Sequence, residues 1–195
     1  MTHVNTLKNP EEVALLKQRN GELEAELARW RKLACTDVLT GTANVLGLRT
    51  WLTSRVARNK HEEYYLRIIA IDVNDLKRVN DTHQKGHAAG DAMLKQVGQV
   101  LLQIFRDPDI VVARVGGDEF VIAEIYDDMG LDGDDSALTS ALRETLGGKR
   151  ISVAIGEAVG VVTGWGNNLE QQFCELRPEA DRRMYADKAQ MKQAA

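Results

Sequence analysis

Carboxylates at two places in the sequence are the residues best suited to chemistry. Asp72 ends the run Leu66-Arg67-Ile68-Ile69-Ala70-Ile71-Asp72-Val73. A carboxylate behind that much apolar sequence is costly to bury without a partner. Taken alone, it reads as a strand-end aspartate capping a turn. The second place is Arg114-Val115-Gly116-Gly117-Asp118-Glu119-Phe120. Two adjacent carboxylates in a hairpin turn repel each other unless a cation lies between or beside them. The bland reading of that run is a solvated turn. If the two strands are sheet neighbours, Asp72, Asp118 and Glu119 converge at one edge. Oxygen-only ligands at one point suit Mg²⁺, which keeps waters and takes substrate phosphates as further ligands. Lys77 follows Asp72 by five residues, close enough to meet a phosphate on the same metal. Asn80 and Asp91 are hydrogen-bonding residues further along. Asp91 opens an apolar helical pattern and reads equally well as that helix's N-terminal cap.

Strands and helices in alternation must position these groups. Leu66–Val73 is a nearly continuous apolar run, as expected of a buried central strand. The 3.6-residue spacing of Met93, Val97, Val100, Leu101 and Ile104 predicts a helix from Asp91 to Phe105. Ile110–Val115 and Glu119–Ile125 read as two strands joined across Gly116-Gly117. Asp127–Asp135 reads as a surface loop, Ser136–Leu146 as a helix and Ile151–Val162 as one or two strands. Pro178 is expected to open a final helix through Lys192. Asn44–Ala57 is a further helix, entered from the loop Thr36–Gly41. The order β-α-β-β-α-β implies an α+β fold, an antiparallel sheet with helices on one face.

Residues 1–35 differ from the rest. Asn9 and Pro10 suit the start of a helix, and the apolar spacing behind them is heptad-like. Val13, Leu27 and Ala34 share one seam position with Asn20; Leu16, Leu23 and Trp30 share the other. A single Asn on that seam fixes register in parallel two-stranded coiled coils. The expected organisation is a dimerising helix over 1–35 and a globular domain over 36–195.

Composition bounds the function. The 195 residues carry 25 basic and 29 acidic side chains, a net charge of −4. That argues against a general nucleic-acid binder, which needs a basic surface to displace counterions. Cys35 and Cys174 have no metal or disulfide spacing, which points to a reducing compartment. No apolar run is long enough for a membrane span, and the first residues do not read as a signal peptide. The expectation is a cytoplasmic protein without a membrane. No G-x-x-x-x-G-K-[ST] loop is present, and the aspartates after Asp132 lack the glycine of an EF-hand.

The sequence resembles the GGDEF family, whose active members are diguanylate cyclases. Gly116-Gly117-Asp118-Glu119-Phe120 matches the name-giving motif. Asp37-Val38-Leu39-Thr40-Gly41…Asn44 resembles the family's opening D-x-L-T-G-L-x-N-R. Asp72…Lys77…Asn80-Asp81…Gly86-His87…Gly90-Asp91 resembles its central stretch. Ala180-Asp181…Met184-Tyr185…Lys188 resembles its closing A-D-x-A-L-Y-x-A-K. The resemblance implies a palm-like cyclase fold with a ferredoxin-like core. It implies two Mg²⁺ per half-site, held by Asp72, the Val73 carbonyl, Asp118 and Glu119, with Asp118 also accepting the 3′-hydroxyl proton. Lys77, the backbone N–H groups near Asp75 and Leu76, and Lys188 and Lys192 would take the phosphates of GTP beside Gly116 and Gly117. Asn80 and Asp91 would read guanine. The activity implied is condensation of two GTP into cyclic di-GMP by a homodimer formed through the N-terminal helix. The rival reading is a catalytically silent receptor or scaffold for GTP or cyclic di-GMP.

The sequence departs from the family at several points. Thr42 and Val45 replace Leu and Arg, Asn74 and Leu76 replace Asp and Phe, and the loop His83-Gln84-Lys85 is two residues longer than usual. Lys192 replaces Arg, a point charge for a fork, and Met191 replaces the glycine before it. The product-inhibition motif R-x-x-D would have its ends at Asp107 and Ile110, so that site is expected to be absent.

Overall fold

The computed structural model describes residues 9–56, 63–82, 87–126, 135–163 and 169–193. Ten elements follow one another: α1 (Pro10–Cys35), α2 (Val45–Val56), β1 (Glu63–Val73), α3 (Leu76–Thr82), α4 (His87–Ile104), β2 (Ile110–Arg114), β3 (Glu119–Tyr126), α5 (Asp135–Gly147), β4 (Val153–Thr163) and α6 (Leu169–Gln193). The loop readings at His83–Lys85 and 127–134 lie outside the described residues. The chain divides into two compact units, Met1–Ala34 and Cys35–Ala195.

The first unit is α1. Asn9 caps it, its Oδ1 accepting the Glu11 N–H at 3.0 Å, with Pro10 in the first turn. No residue of α1 is buried. The seam residues Leu16, Leu23, Leu27 and Trp30 are all exposed.

In the second unit the strands lie in the order β2-β3-β1-β4, every pair antiparallel. β1 runs through the middle because both parities of its sequence are apolar. Leu66, Ile68 and Ala70 pack with Leu48 and Leu52 of α2 and with Leu169, Ala180 and Met184 of α6. Ile69, Ile71 and Val73 pack with α4 and α5 through Leu94, Val97, Leu101, Leu142 and Leu146. Each fully buried Leu or Ile contributes about 2 kcal/mol. Helices therefore cover both faces, not one as the element order suggested. A strand apolar at alternate and at intervening positions cannot leave either side to water.

Three boundaries also differ from the expectation. Residues 151–162 hold a single strand, β4, which begins at Val153. The helix expected from Asp91 begins at His87, so Asp91 is not its cap. Leu94, Val97, Val100 and Leu101 carry its burial, while Ile104 is 39% exposed. Pro178 lies inside α6, which begins at Leu169. A mid-helix proline costs about 3 kcal/mol through its missing N–H and its ring. The preceding turns offset this, because Leu169 is fully buried and Phe173 and Leu176 pack against the same core. Arg177 pairs with Asp181 at 2.7 Å across the proline.

Candidate functional site

Three elements end together at one end of the sheet. Asp72, the penultimate residue of β1, stands opposite Glu119 of β3 on one side and Ala154 of β4 on the other. Directly opposed residues point to one face about 5 Å apart. That face is the one covered by α6, and Lys188 Nζ of α6 reaches Asp72 Oδ1 at 2.5 Å. Asp72 is only 4% exposed, so this lysine supplies the partner a buried carboxylate requires. The Val73 N–H donates to the Asp118 carbonyl at 2.9 Å and fixes the Gly116–Asp118 turn beside the strand end.

A cleft of about 830 Å³ opens here. Val73, Asp75, Leu76, Lys77, Asp118, Lys188 and Lys192 line it, joined by Asn74, Arg78, Asp81, Ser152 and Met191. The chain enters it by a sharp bend at Asp75, whose φ of 61° is left-handed. Arg78 pairs with the Asp75 carboxylate at 3.0 Å. Asp72 is covered behind this wall. Gly116, Gly117, Glu119, Asn80 and Asp91 do not line the cleft.

Asn80 and Asp91 belong to a neighbouring arrangement. Asn80 Oδ1 accepts the Gly90 N–H at 3.2 Å. A Cβ on Gly90 would stand 2.2 Å from that oxygen, so any larger residue would have to displace the Asn80 amide. With its oxygen engaged, the Asn80 amide presents its NH₂ outward as a donor. Asp91, one residue on, is exposed and presents an acceptor.

Several contacts at the site go beyond what the motifs indicate. Arg114 donates to the Gly117 carbonyl through Nε at 3.2 Å and through its second guanidinium nitrogen at 2.7 Å. Its remaining nitrogen meets Asp37 at 3.3 Å. Asp37 in turn accepts from the Thr40 N–H at 2.9 Å and the Thr40 hydroxyl at 2.6 Å. Burial alone would raise the Asp37 pKa; the Thr40 bonds and the Arg114 charge outweigh it and hold the carboxyl below its ordinary range. The opening loop thus braces the glycine turn, across 77 residues of sequence. Asn74 was noted only as a replacement; its amide donates to Ser152 Oγ at 3.0 Å and to Met191 Sδ at 3.6 Å. The opening motif marks Asp37 and Thr40; only the opposite charge on Asp37 and Arg114 hints at their pairing.

The family profile described as "Diguanylate cyclase, GGDEF domain" matches residues 34–194. The chain belongs to the GGDEF family. A diguanylate cyclase of Pseudomonas aeruginosa, DgcP, is 36% identical over 112 residues, 57% of this chain and 16% of that protein. The Escherichia coli diguanylate cyclase DgcP is 31% identical over 134 residues, 69% of this chain and 34% of its own length. This GGDEF chain therefore spans well under two thirds of either relative. The coiled coil and GGDEF domain of DgcB from Caulobacter crescentus, in complex with c-di-GMP, superposes with a TM-score of 0.67. That match is 22% identical and covers 92% of this chain and 93% of that one. It supports the palm-like α+β fold with an N-terminal helix.

Mg²⁺ is the metal typical of GGDEF cyclases. Among the described residues no three Asp, Glu, His or Cys side chains stand close enough to form a metal centre by themselves. The donor chemistry at the strand end is nevertheless of the oxygen-only kind that Mg²⁺ takes. Asp72 and Glu119 share a face, the Val73 carbonyl and Asp118 adjoin them, and every donor is oxygen. A set this small leaves coordination positions for water and phosphate, as Mg²⁺ prefers. No described helix is long and apolar enough to cross a membrane.

Proposed function

We propose that the chain condenses two GTP into cyclic di-GMP with release of two pyrophosphates, and that it acts as a homodimer. The observation that carries this reading is the shared cleft. Asp118 and the cations Lys77, Lys188 and Lys192 line one wall, with the Asp72 carboxylate buried directly behind it.

Each 3′-oxygen bonds to the α-phosphorus of the other nucleotide, and the bond from that phosphorus to the β-phosphate oxygen breaks. Asp118 accepts the proton of the attacking hydroxyl. Lys77, Lys188 and Lys192, with the backbone N–H groups near Asp75 and Leu76, bind the phosphates and stabilise the charge that builds on them. Lys188 must exchange Asp72 for phosphate when nucleotide enters. Asp72, the Val73 carbonyl, Asp118 and Glu119 would hold Mg²⁺, two ions per half-site, which would supply Lewis-acid polarisation of the phosphoryl oxygens. Asn80 donates and Asp91 accepts, a pattern that suits the guanine edge and leaves adenine's lone pairs facing a carboxylate.

One domain offers half of a two-substrate site, so catalysis requires two copies facing each other. Leu16, Leu23, Leu27 and Trp30 along α1, with Asn20 on the seam, suit a parallel coiled coil that brings them together.

The test is incubation of the full chain with GTP and Mg²⁺, with nucleotides resolved by chromatography. Cyclic di-GMP and pyrophosphate are expected in a 1:2 ratio, with Asp118→Ala inactive yet folded. Tight binding of GTP or cyclic di-GMP with no product would overturn catalysis in favour of a receptor.

A further inference from the structure

A second cavity of about 340 Å³ opens beside the cleft and shares two wall residues with it, Ser152 and Met191. Its other walls include Arg143 of α5 and Arg150 of the α5–β4 turn. The two arginines differ. Arg143 is fixed: it pairs with Asp187 at 2.7 Å and donates to the Val153 carbonyl at 3.4 Å. Asp187 answers much of its charge. Arg150 is exposed, and among the described residues no acid or acceptor engages its guanidinium. Its backbone is held at φ 61° by hydrogen bonds from the Arg150 and Ile151 N–H groups to the Gly147 and Leu146 carbonyls. Glycine or asparagine would close such a turn with less strain. The residue present instead sets a cation at the mouth of a pocket.

Two of the cations lining the neighbouring cleft are held in ion pairs. Lys188 is paired with Asp72 and Arg78 with Asp75. Lys192 stands where the family resemblance calls for a guanidinium, and lysine offers no planar fork to a phosphate. Arg150, from a different element, sets such a fork in the adjoining cavity, which shares Ser152 and Met191 with the cleft.

We propose that the Arg143–Arg150 pocket is a phosphate subsite. It takes the distal phosphate of a nucleoside triphosphate lying past Lys192, or the free pyrophosphate that leaves; both present the same chemistry. The proposal rests on the cleft holding a nucleotide, and Met191 is the partition between the two chambers.

The test is calorimetric binding to the full chain and to Arg150→Gln. The probes are GMP, pyrophosphate, and a GTP analogue with a methylene bridge between the α- and β-phosphorus atoms, so that nothing is turned over. Loss of one exposed ion pair should weaken the analogue about two- to fivefold, weaken pyrophosphate similarly and leave GMP unchanged. Arg150→Lys should restore part of the loss. A change confined to pyrophosphate assigns the pocket to the leaving group; a change confined to the analogue assigns it to the bound triphosphate. Unchanged affinity for both, with wild-type binding intact, overturns the subsite. If the wild type binds no guanine nucleotide, the reading of the cleft falls, and the pyrophosphate arm judges the pocket by itself. A wild type that binds neither probe overturns both.

Discussion

β1 carries two charged residues among its apolar ones, Arg67 in its middle and Asp72 near its end, and the two are treated in opposite ways. Arg67 is ringed by protein. It pairs with Glu124 on β3 at 3.0 Å and with Glu157 on β4 at 2.8 Å, and its guanidinium lies 5.1 Å from the centre of the Tyr126 ring. That ring stacks on Tyr65 at 5.4 Å. Two acids and an aromatic face leave the cation nothing to exchange. Asp72, five residues on, has one lysine, and that lysine comes from the wall of an open cleft. A charge answered on all sides by fixed groups belongs to the fold. A charge answered by one long, flexible side chain at a cleft is held ready for another partner.

Paired substitutions test that contrast most sharply. Asp72→Asn keeps the shape of the strand end and removes the charge. It should lower cyclic di-GMP formation at least about a hundredfold while moving the unfolding midpoint little. Arg67→Met should do the reverse. It leaves Glu124 and Glu157 uncompensated on either side of β1 and should cost about 3 kcal/mol in denaturant unfolding, with turnover per folded molecule unchanged. A catalytic collapse in Arg67→Met with full stability would break the comparison.

Next in size is Gly90→Ala. At an ordinary helix position this change stabilises by about 1 kcal/mol. Here the new methyl would stand 2.2 Å from Asn80 Oδ1 and must push the amide off its bond. The Michaelis constant for GTP should rise about tenfold, the cost of one mispaired polar group, with the maximal rate less affected. An unchanged constant would remove Asn80 from guanine binding.

Much of this architecture is legible before any coordinates. Apolar runs at 66–73, 110–115 and 119–125 mark strands because a buried strand needs little else. The spacing of Leu16, Leu23 and Trp30 marks α1 as a helix with a stripe. What fails is whatever depends on contacts distant in sequence. The run at 66–73 is apolar at both parities, which already requires cover on two sides, yet the order of elements suggested one. Pro178 reads as a helix start because local preference says so; burial of Leu169 and Phe173 outweighs it. Asp72 and Glu119 sharing a face follows from strand pairing, whereas Asp37 meeting Arg114 depends on where the opening loop crosses β2. There the Ala43 N–H donates to Val112 and the Ala43 carbonyl accepts from Arg114, a suture with no local pattern. Met191 as a wall between two cavities is invisible for the same reason.

The smallest expected effect lies at that suture, which resembles the Arg67 cluster in construction although it serves the Asp72 end. Asp37 is held by Thr40 and Arg114, and its folded pKa lies below that of an ordinary aspartate. A carboxylate with a depressed folded pKa contributes stability above its unfolded pKa and loses it as pH falls through the folded value. Acidification below about pH 4 should therefore weaken the brace on the glycine turn. Thr40→Val removes the hydroxyl donor at 2.6 Å and should cost about 1–2 kcal/mol at neutral pH, as a hydrogen bond to a charged group does. Because the variant's Asp37 titrates closer to its unfolded value, it has less to lose on acidification. The stability gap between variant and wild type should close as pH drops below about 4. Unfolding curves collected at neutral pH and through that acid range read the gap directly. A gap constant with pH would show that Thr40 acts by packing under Gly98, whose Cβ position lies 2.8 Å from it, and that the brace on the Gly117 carbonyl is carried by Arg114 without help from the charge on Asp37.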